Sequence, residues 1–208
     1  MSISKPWRKY KGKLADILHP LVHLGAAIPF LVGLWDFWQV NLGPNPIQEI
    51  THRSGKTAII LLILSLSISP LRQIFKWSQV NKLRRPLGLW AAFYAGVHFA
   101  IYVALDFGFQ WKELLDNSLT NWFILLGLTA GIILLLLSIT SLDFFLKRMG
   151  KRWKQLHRLV YGVGILTAIH FILAVKPGVL TPWPYAAIMG ILLAFRLPAV
   201  QSWVKKRI

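Results

Sequence analysis

The chain has 208 residues, 55% of them hydrophobic and 15% charged, with a net charge of +17 and no cysteine. That balance is too apolar for a soluble domain of this size. The basic residues sit in short clusters between long apolar runs, so the charge speaks for membrane topology and against nucleic acid. Without a thiol, disulfides, iron–sulfur clusters, thioether-linked haem and a cysteine nucleophile are excluded, and any metal takes histidine or oxygen ligands.

In chain order, the basic stretch MSISKPWRKYKGK precedes an apolar run that holds no small-x-small cleavage signal, and it reads as a first span, not a removed signal peptide. Six segments approach the 20 or so mainly apolar residues that cross a hydrocarbon core of about 30 Å. They run from Leu14 to Trp35, Thr57 to Phe75, Pro86 to Leu105, Asn121 to Leu142, Gln155 to Val175 and Trp183 to Pro198. All six must be helices, because an open sheet leaves backbone groups unpaired in lipid. The expectation is an all-α integral membrane protein, a six-helix bundle forming a single domain over residues 1–208. Twenty of the 24 Lys and Arg residues fall on one side, within residues 5–13, 72–85, 147–158 and 196–207. The opposite side keeps Arg53, Lys56, Lys112 and Lys176, so the positive-inside rule places both termini in the cytoplasm. Trp35, Trp38, Trp111, Trp122 and Trp183 lie near the outer boundary, as interface anchors should. The longest outer connection, near Trp35 to Thr51, is too short to fold a nucleotide-binding unit.

Ionisable groups inside spans are costly and therefore functional candidates. His98 lies mid-span in LWAAFYAGVHFAIYVALDF and His170 lies well inside VYGVGILTAIHFILAV. Each is a dozen or so residues from the inner end of its span, so both sit at one level and can ligate one haem between the third and fifth helices. His157 precedes His170 by 13 residues, about 19–20 Å along an ideal helix and roughly 140° around it, so a shared face needs local distortion. It marks a second level at the cytoplasmic edge, where the third span offers only Arg84, Arg85 and Pro86 and no opposing histidine. Gly162 and Gly164 lie between the two and can permit distortion or close approach of a porphyrin. Competing readings stay open: an intramembrane histidine also serves as an interhelical hydrogen-bond donor or a proton relay in a transporter.

His19 and His23 share a face of the first span, a spacing open to metal binding, to ligation of an inner haem or to a polar inner vestibule; His19 reads as vestibular, and His23 stays open between vestibule and further haem ligand. His52 reads as an interfacial cap of the second helix, and Asp16 as a headgroup-facing residue. Arg84, Arg85, Arg152 and Arg158 form an inner cationic rim able to hold haem propionates or a flavin phosphate, although positive-inside charge explains most of them without a ligand. Gly127 and Gly131 form a GxxxG whose expected meaning is close helix packing. The outer connection carrying Trp111, Glu113 and Asp116 is the expected docking surface for an outer partner.

The segments HLGAAIPFLVGLWDF, ITHRSGKTA, RRPLGLWAAFYAGVHFAIY and GKRWKQLHRLVYGVGILTAIHF resemble the haem-binding membrane subunits of bacterial periplasmic methionine-sulfoxide reductase systems, over nearly the whole chain. These belong to a wider ferric-reductase-like transmembrane group that includes the membrane cores of the NADPH oxidases. The resemblance implies a multi-pass inner-membrane cytochrome b with one or two haem b groups and His98, His157 and His170 at iron-ligand positions. It implies electrons taken from the quinone pool or a cytoplasmic flavin reductase and passed to a periplasmic molybdopterin enzyme that repairs oxidised methionines. FMN is associated with the same family. A direct ferric-chelate reductase shares the fold and differs in its acceptor.

Overall fold

A computed structural model describes the backbone of residues 7–207 and the side chains of residues 17–202. The basic arm before Asp16, Asp16 itself and the tail residues Lys205, Lys206 and Arg207 lie outside the described side chains. Among the described residues there is no strand. Five helical segments are long and apolar enough to cross a membrane, and a sixth apolar helix, Pro182–Ala194, is shorter.

Helix α1 (Trp7–Trp38) and helix α2 (Pro46–Phe75) are joined by residues 39–45. The connection is shorter than expected, because α2 starts eleven residues before Thr57. Its N-cap is Asn45, whose side-chain oxygen accepts from the Gln48 N–H at 3.2 Å, with Pro46 in the first helical position. His52 therefore does not cap α2; it is an exposed residue within the helix. A 3₁₀ turn over Ser78–Leu83 leads to α3 (Arg84–Ile101), which continues as one π-helical turn to Asp106. Next comes α4 (Trp111–Thr120), a helix where the sequence suggested a loop. Leu114 and Ser118 face inward, while Trp111, Leu115 and Leu119 are exposed, the pattern of a helix lying along an interface. The chain proceeds through α5 (Trp122–Ile139), α6 (Asp143–Met149), α7 (Lys151–Leu156), α8 (Leu159–Ala174), α9 (Pro182–Ala194) and α10 (Pro198–Arg207).

Two helix pairs dominate the packing, α2 with α3 and α5 with α8. They meet through α3 against α5, α9 bridges α8 and α2, and α1 lies outside against α2 and α3. The core lies between the pairs, at Leu62, Leu66, Ala91, Tyr94, Ala130, Val163 and Met189. Small residues bring α2 and α3 close: Ser65 donates to the Arg84 carbonyl at 2.9 Å and packs beside Gly88. Helix α1 buries little beyond Ala26 and exposes Leu21, Leu24, Ile28 and Leu31, as a lipid-facing helix does. Pro29 breaks its ladder, and next to that site the buried Tyr94 hydroxyl donates to the Ala26 carbonyl at 2.6 Å. The five predicted interface tryptophans are all exposed, Trp122 most of all at 77%.

Candidate functional site

His98 stands near the C-terminal end of α3 and His170 in the last turn and a half of α8. The fold brings their rings together, 6.2 Å between centres with the planes 84° apart. Each ring is tied to a backbone carbonyl of the facing helix. His98 Nδ1 lies 2.9 Å from the Thr51 oxygen on α2, and His170 Nδ1 lies 2.6 Å from the Phe123 oxygen on α5. A carbonyl only accepts, so both Nδ1 atoms carry the proton and both Nε2 atoms keep the lone pair. That is the arrangement by which metal-ligating histidines are oriented from behind. Thr51 and Phe123 lie near the N-termini of α2 and α5, so the pair sits toward the tryptophan-rich end of the bundle, away from the basic end.

The donor set distinguishes among metals. Among the described residues no group of three or more His, Cys, Asp or Glu side chains could hold an ion. Two imidazoles fall short of a four-coordinate zinc site, whereas a porphyrin contributes four nitrogens and asks the protein for two axial ligands. Two imidazole nitrogens bonded at about 2 Å to opposite sides of one metal require ring centres about 6 Å apart, a condition that the 6.2 Å separation meets. The pair fits an iron porphyrin.

His157 lies elsewhere. It is not on the helix of His170: α7 ends at Leu156 and α8 begins at Leu159, so the separation and angle of an ideal helix do not apply. The distortion falls at 157–158 and not at the glycines. Gly162 has nothing near it, and Gly164 makes room for Met189, whose sulfur a Cβ there would meet at 2.8 Å. The His157 ring stacks on Trp153, 3.9 Å between centres, and its Nε2 is 3.2 Å from Thr140 Oγ1. That hydroxyl also reaches the Leu136 carbonyl at 2.8 Å, and with its proton given there it accepts from a His157 Nε2–H. Among the described residues no other histidine ring stacks against it.

His23 Nδ1 accepts the Trp90 indole N–H at 3.0 Å, which places its proton on Nε2, and the His19 ring is 4.9 Å away. His23, Leu89, Trp90 and Phe93 line an open cleft of about 310 Å³ between α1 and α3. Of the predicted cationic rim, Arg85 pairs with Asp143 at 2.9 Å, Arg152 and Arg158 are exposed, and Arg84 is half-buried within electrostatic reach of His157. Sequence reasoning missed Arg196, whose Nη2 donates to the Leu66 carbonyl at 2.7 Å and which lies over the Tyr161 ring. Pro70, four residues after Leu66, has no N–H to offer that carbonyl. At the opposite end, Arg53 joins Asp36 at 2.5 Å and Glu49 at 2.7 Å, tying α1 to α2.

A helical membrane core with paired intramembrane imidazoles defines a class, and the family described as ferric reductase like transmembrane component matches residues 54–169. The haem-binding subunit MsrQ of the protein-methionine-sulfoxide reductase of Xanthomonas axonopodis pv. citri is 39% identical over 183 residues, 85% of this chain and 84% of that protein. The corresponding subunit of Salmonella arizonae is 38% identical over 182 residues, 85% of this chain and 90% of its own length. The chain belongs to this MsrQ family of haem-binding membrane subunits. No solved structure matches it.

Proposed function

We propose that this chain is the membrane electron-transfer subunit of a methionine-sulfoxide reductase system, with haem b held by His98 and His170. The observation that carries the reading is the ring pair itself: 6.2 Å apart, each Nδ1 bonded to a carbonyl and each Nε2 left with a lone pair. A bound haem supplies a one-electron carrier near the tryptophan-rich end of the bundle. His98 and His170 hold it from α3 and α8, and the carbonyls of Thr51 and Phe123 fix their tautomers.

His157 marks a second level toward the basic end, where its ring must leave Thr140 to ligate iron through Nε2. Arg84, with Arg85, Arg152 and Arg158, supplies positive charge there for haem propionates or an FMN phosphate, and His23 lines the vestibule beside it. The chain forms one domain over residues 1–208 with six crossings of the bacterial inner membrane and both termini in the cytoplasm. Electrons come from the quinone pool or a cytoplasmic flavin reductase and leave to a periplasmic molybdopterin subunit that repairs oxidised methionines.

The test is the spectrum of the purified protein from haem-replete cells. A Soret band that shifts on dithionite reduction, with haem stoichiometry by pyridine haemochrome, is expected for the wild type. His98→Ala and His170→Ala each abolish the low-spin haem, and His157→Ala leaves it in place while removing any second haem. A folded, colourless wild type overturns the reading. Equal electron delivery to an external ferric chelate and to the methionine-sulfoxide reductase partner assigns the acceptor differently.

A further inference from the structure

The two histidines are seated in the same way, and the likeness extends through the chain. On α2 the carbonyl of Thr51 is followed four residues later by Gly55; on α5 the carbonyl of Phe123 is followed four residues later by Gly127. His98 comes 47 residues after Thr51, and His170 comes 47 residues after Phe123. Helices α2 and α5 both begin at the tryptophan-rich end, and α3 and α8 both return toward it. The repeat therefore runs in one sense twice, and each copy contributes one ring.

The glycines leave the space that each ring fills. A Cβ on Gly127 would stand 2.7 Å from Cε1 and 2.8 Å from Nδ1 of His170, and one on Gly55 would stand 3.0 Å from Nδ1 of His98. Neither ring can give way freely, because retreat from the Cβ lengthens the bond to the carbonyl one turn back. By contrast Gly131, one turn beyond Gly127 on the same helix, has nothing within 4 Å. Glycine in a helix interior is unfavourable relative to alanine, so its presence at Gly55 and Gly127 calls for a reason that packing of apolar side chains does not supply.

We propose that Gly55 and Gly127 are positioning residues for the histidine pair: each opens a seat in which the ring reaches the preceding turn's carbonyl through Nδ1 and keeps the lone pair on Nε2. The proposal rests on the haem reading for its purpose and on the ring geometry for its evidence. The seats differ in tolerance. The Gly127 seat is closed to any side chain, whereas the Gly55 seat, at 3.0 Å, is tighter than ordinary contact and takes alanine only when the His98 ring gives by a few tenths of an ångström. A displaced ring loses part of the Nδ1–H to carbonyl bond, which makes the imidazole a poorer donor and shifts a bound iron toward its reduced form.

The experiment compares Gly127→Ala, Gly55→Ala and the control Gly131→Ala in the full chain, purified from haem-replete cells. Gly127→Ala is expected to lose the low-spin bis-histidine spectrum. Gly55→Ala keeps its haem with a more positive midpoint potential, and Gly131→Ala matches the wild type in both. Spectra and potentials of Gly127→Ala and Gly55→Ala that coincide with those of Gly131→Ala overturn the proposal. Ring ¹⁵N spectra of histidine-labelled reduced protein read the seats independently of haem content. They are expected to show His98 and His170 protonated at Nδ1 in the wild type, with His98 perturbed in Gly55→Ala. A wild type without haem but with these tautomers overturns the haem reading alone, and wild-type rings unprotonated at Nδ1 overturn the seats. If Gly127→Ala does not fold, the graded response of Gly55→Ala still decides.

Discussion

At the scale of the residue, a histidine's use depends on which of its nitrogens the protein leaves free. His98 and His170 each surrender Nδ1–H to a carbonyl and keep Nε2. His23 and His157 are held the other way, Nδ1 of the first taken by Trp90 and Nε2 of the second by Thr140. The sequence separates the four by depth but gives the tautomer of none, because type and depth are one-dimensional properties and tautomer is set by a neighbour elsewhere in the chain. Tyr94 shows the same dependence. Its hydroxyl reaches the Ala26 carbonyl beside the Pro29 break from a helix 68 residues away, and Tyr94→Phe is expected to cost about 1 kcal/mol. Thermal unfolding in detergent should show the loss, while the haem spectrum stays that of the wild type.

At the scale of the element, helix ends and helix defects separate what the pattern predicts from what the fold does with it. Hydropathy located the apolar stretches well but began α2 eleven residues late, since PIQEITHRSGK is polar enough to look like loop until Asn45 is seen to cap it. Helix α4 was overlooked for a related reason: ten residues with an interface face carry no spanning signal. Pro70 inside α2 strips the Leu66 carbonyl of its helical partner, and Arg196 from beyond α9 supplies a donor in its place. Arg196→Met is accordingly expected to destabilise by about 1–2 kcal/mol. In a Pro70→Ala background, where the restored N–H satisfies Leu66, the same substitution should cost markedly less. A double-mutant cycle on thermal stability measures the coupling, and strict additivity would refute the assignment.

At the scale of the whole molecule, two like helix pairs, α2 with α3 and α5 with α8, close around one pair of imidazoles, with α1 and α9 packed outside them. The charge asymmetry along the chain bears on how this bundle sits in the bilayer. Helix α9 spans 13 residues, about 20 Å at 1.5 Å per residue, so a sixth crossing there would need the flanking turns or local thinning of the bilayer. Reporter fusions test the count directly. A fluorescent protein at either terminus should glow in the cytoplasm, and alkaline phosphatase inserted within residues 41–45 should be active outside. Activity of a phosphatase fused at the C-terminus would mean five crossings and termini on opposite sides.

Composition and periodicity alone determined that the chain is a helical membrane protein, where its apolar stretches fall, and that His98 and His170 share a level, because burial in lipid imposes length and polarity rules that act on each segment separately. The tertiary structure decided which histidines face one another, which nitrogen each presents, and that Gly127 makes room for a ring and not simply for a neighbouring helix. Those outcomes depend on carbonyls and helix breaks brought together from 47 or more residues apart, and no local pattern encodes such a distance.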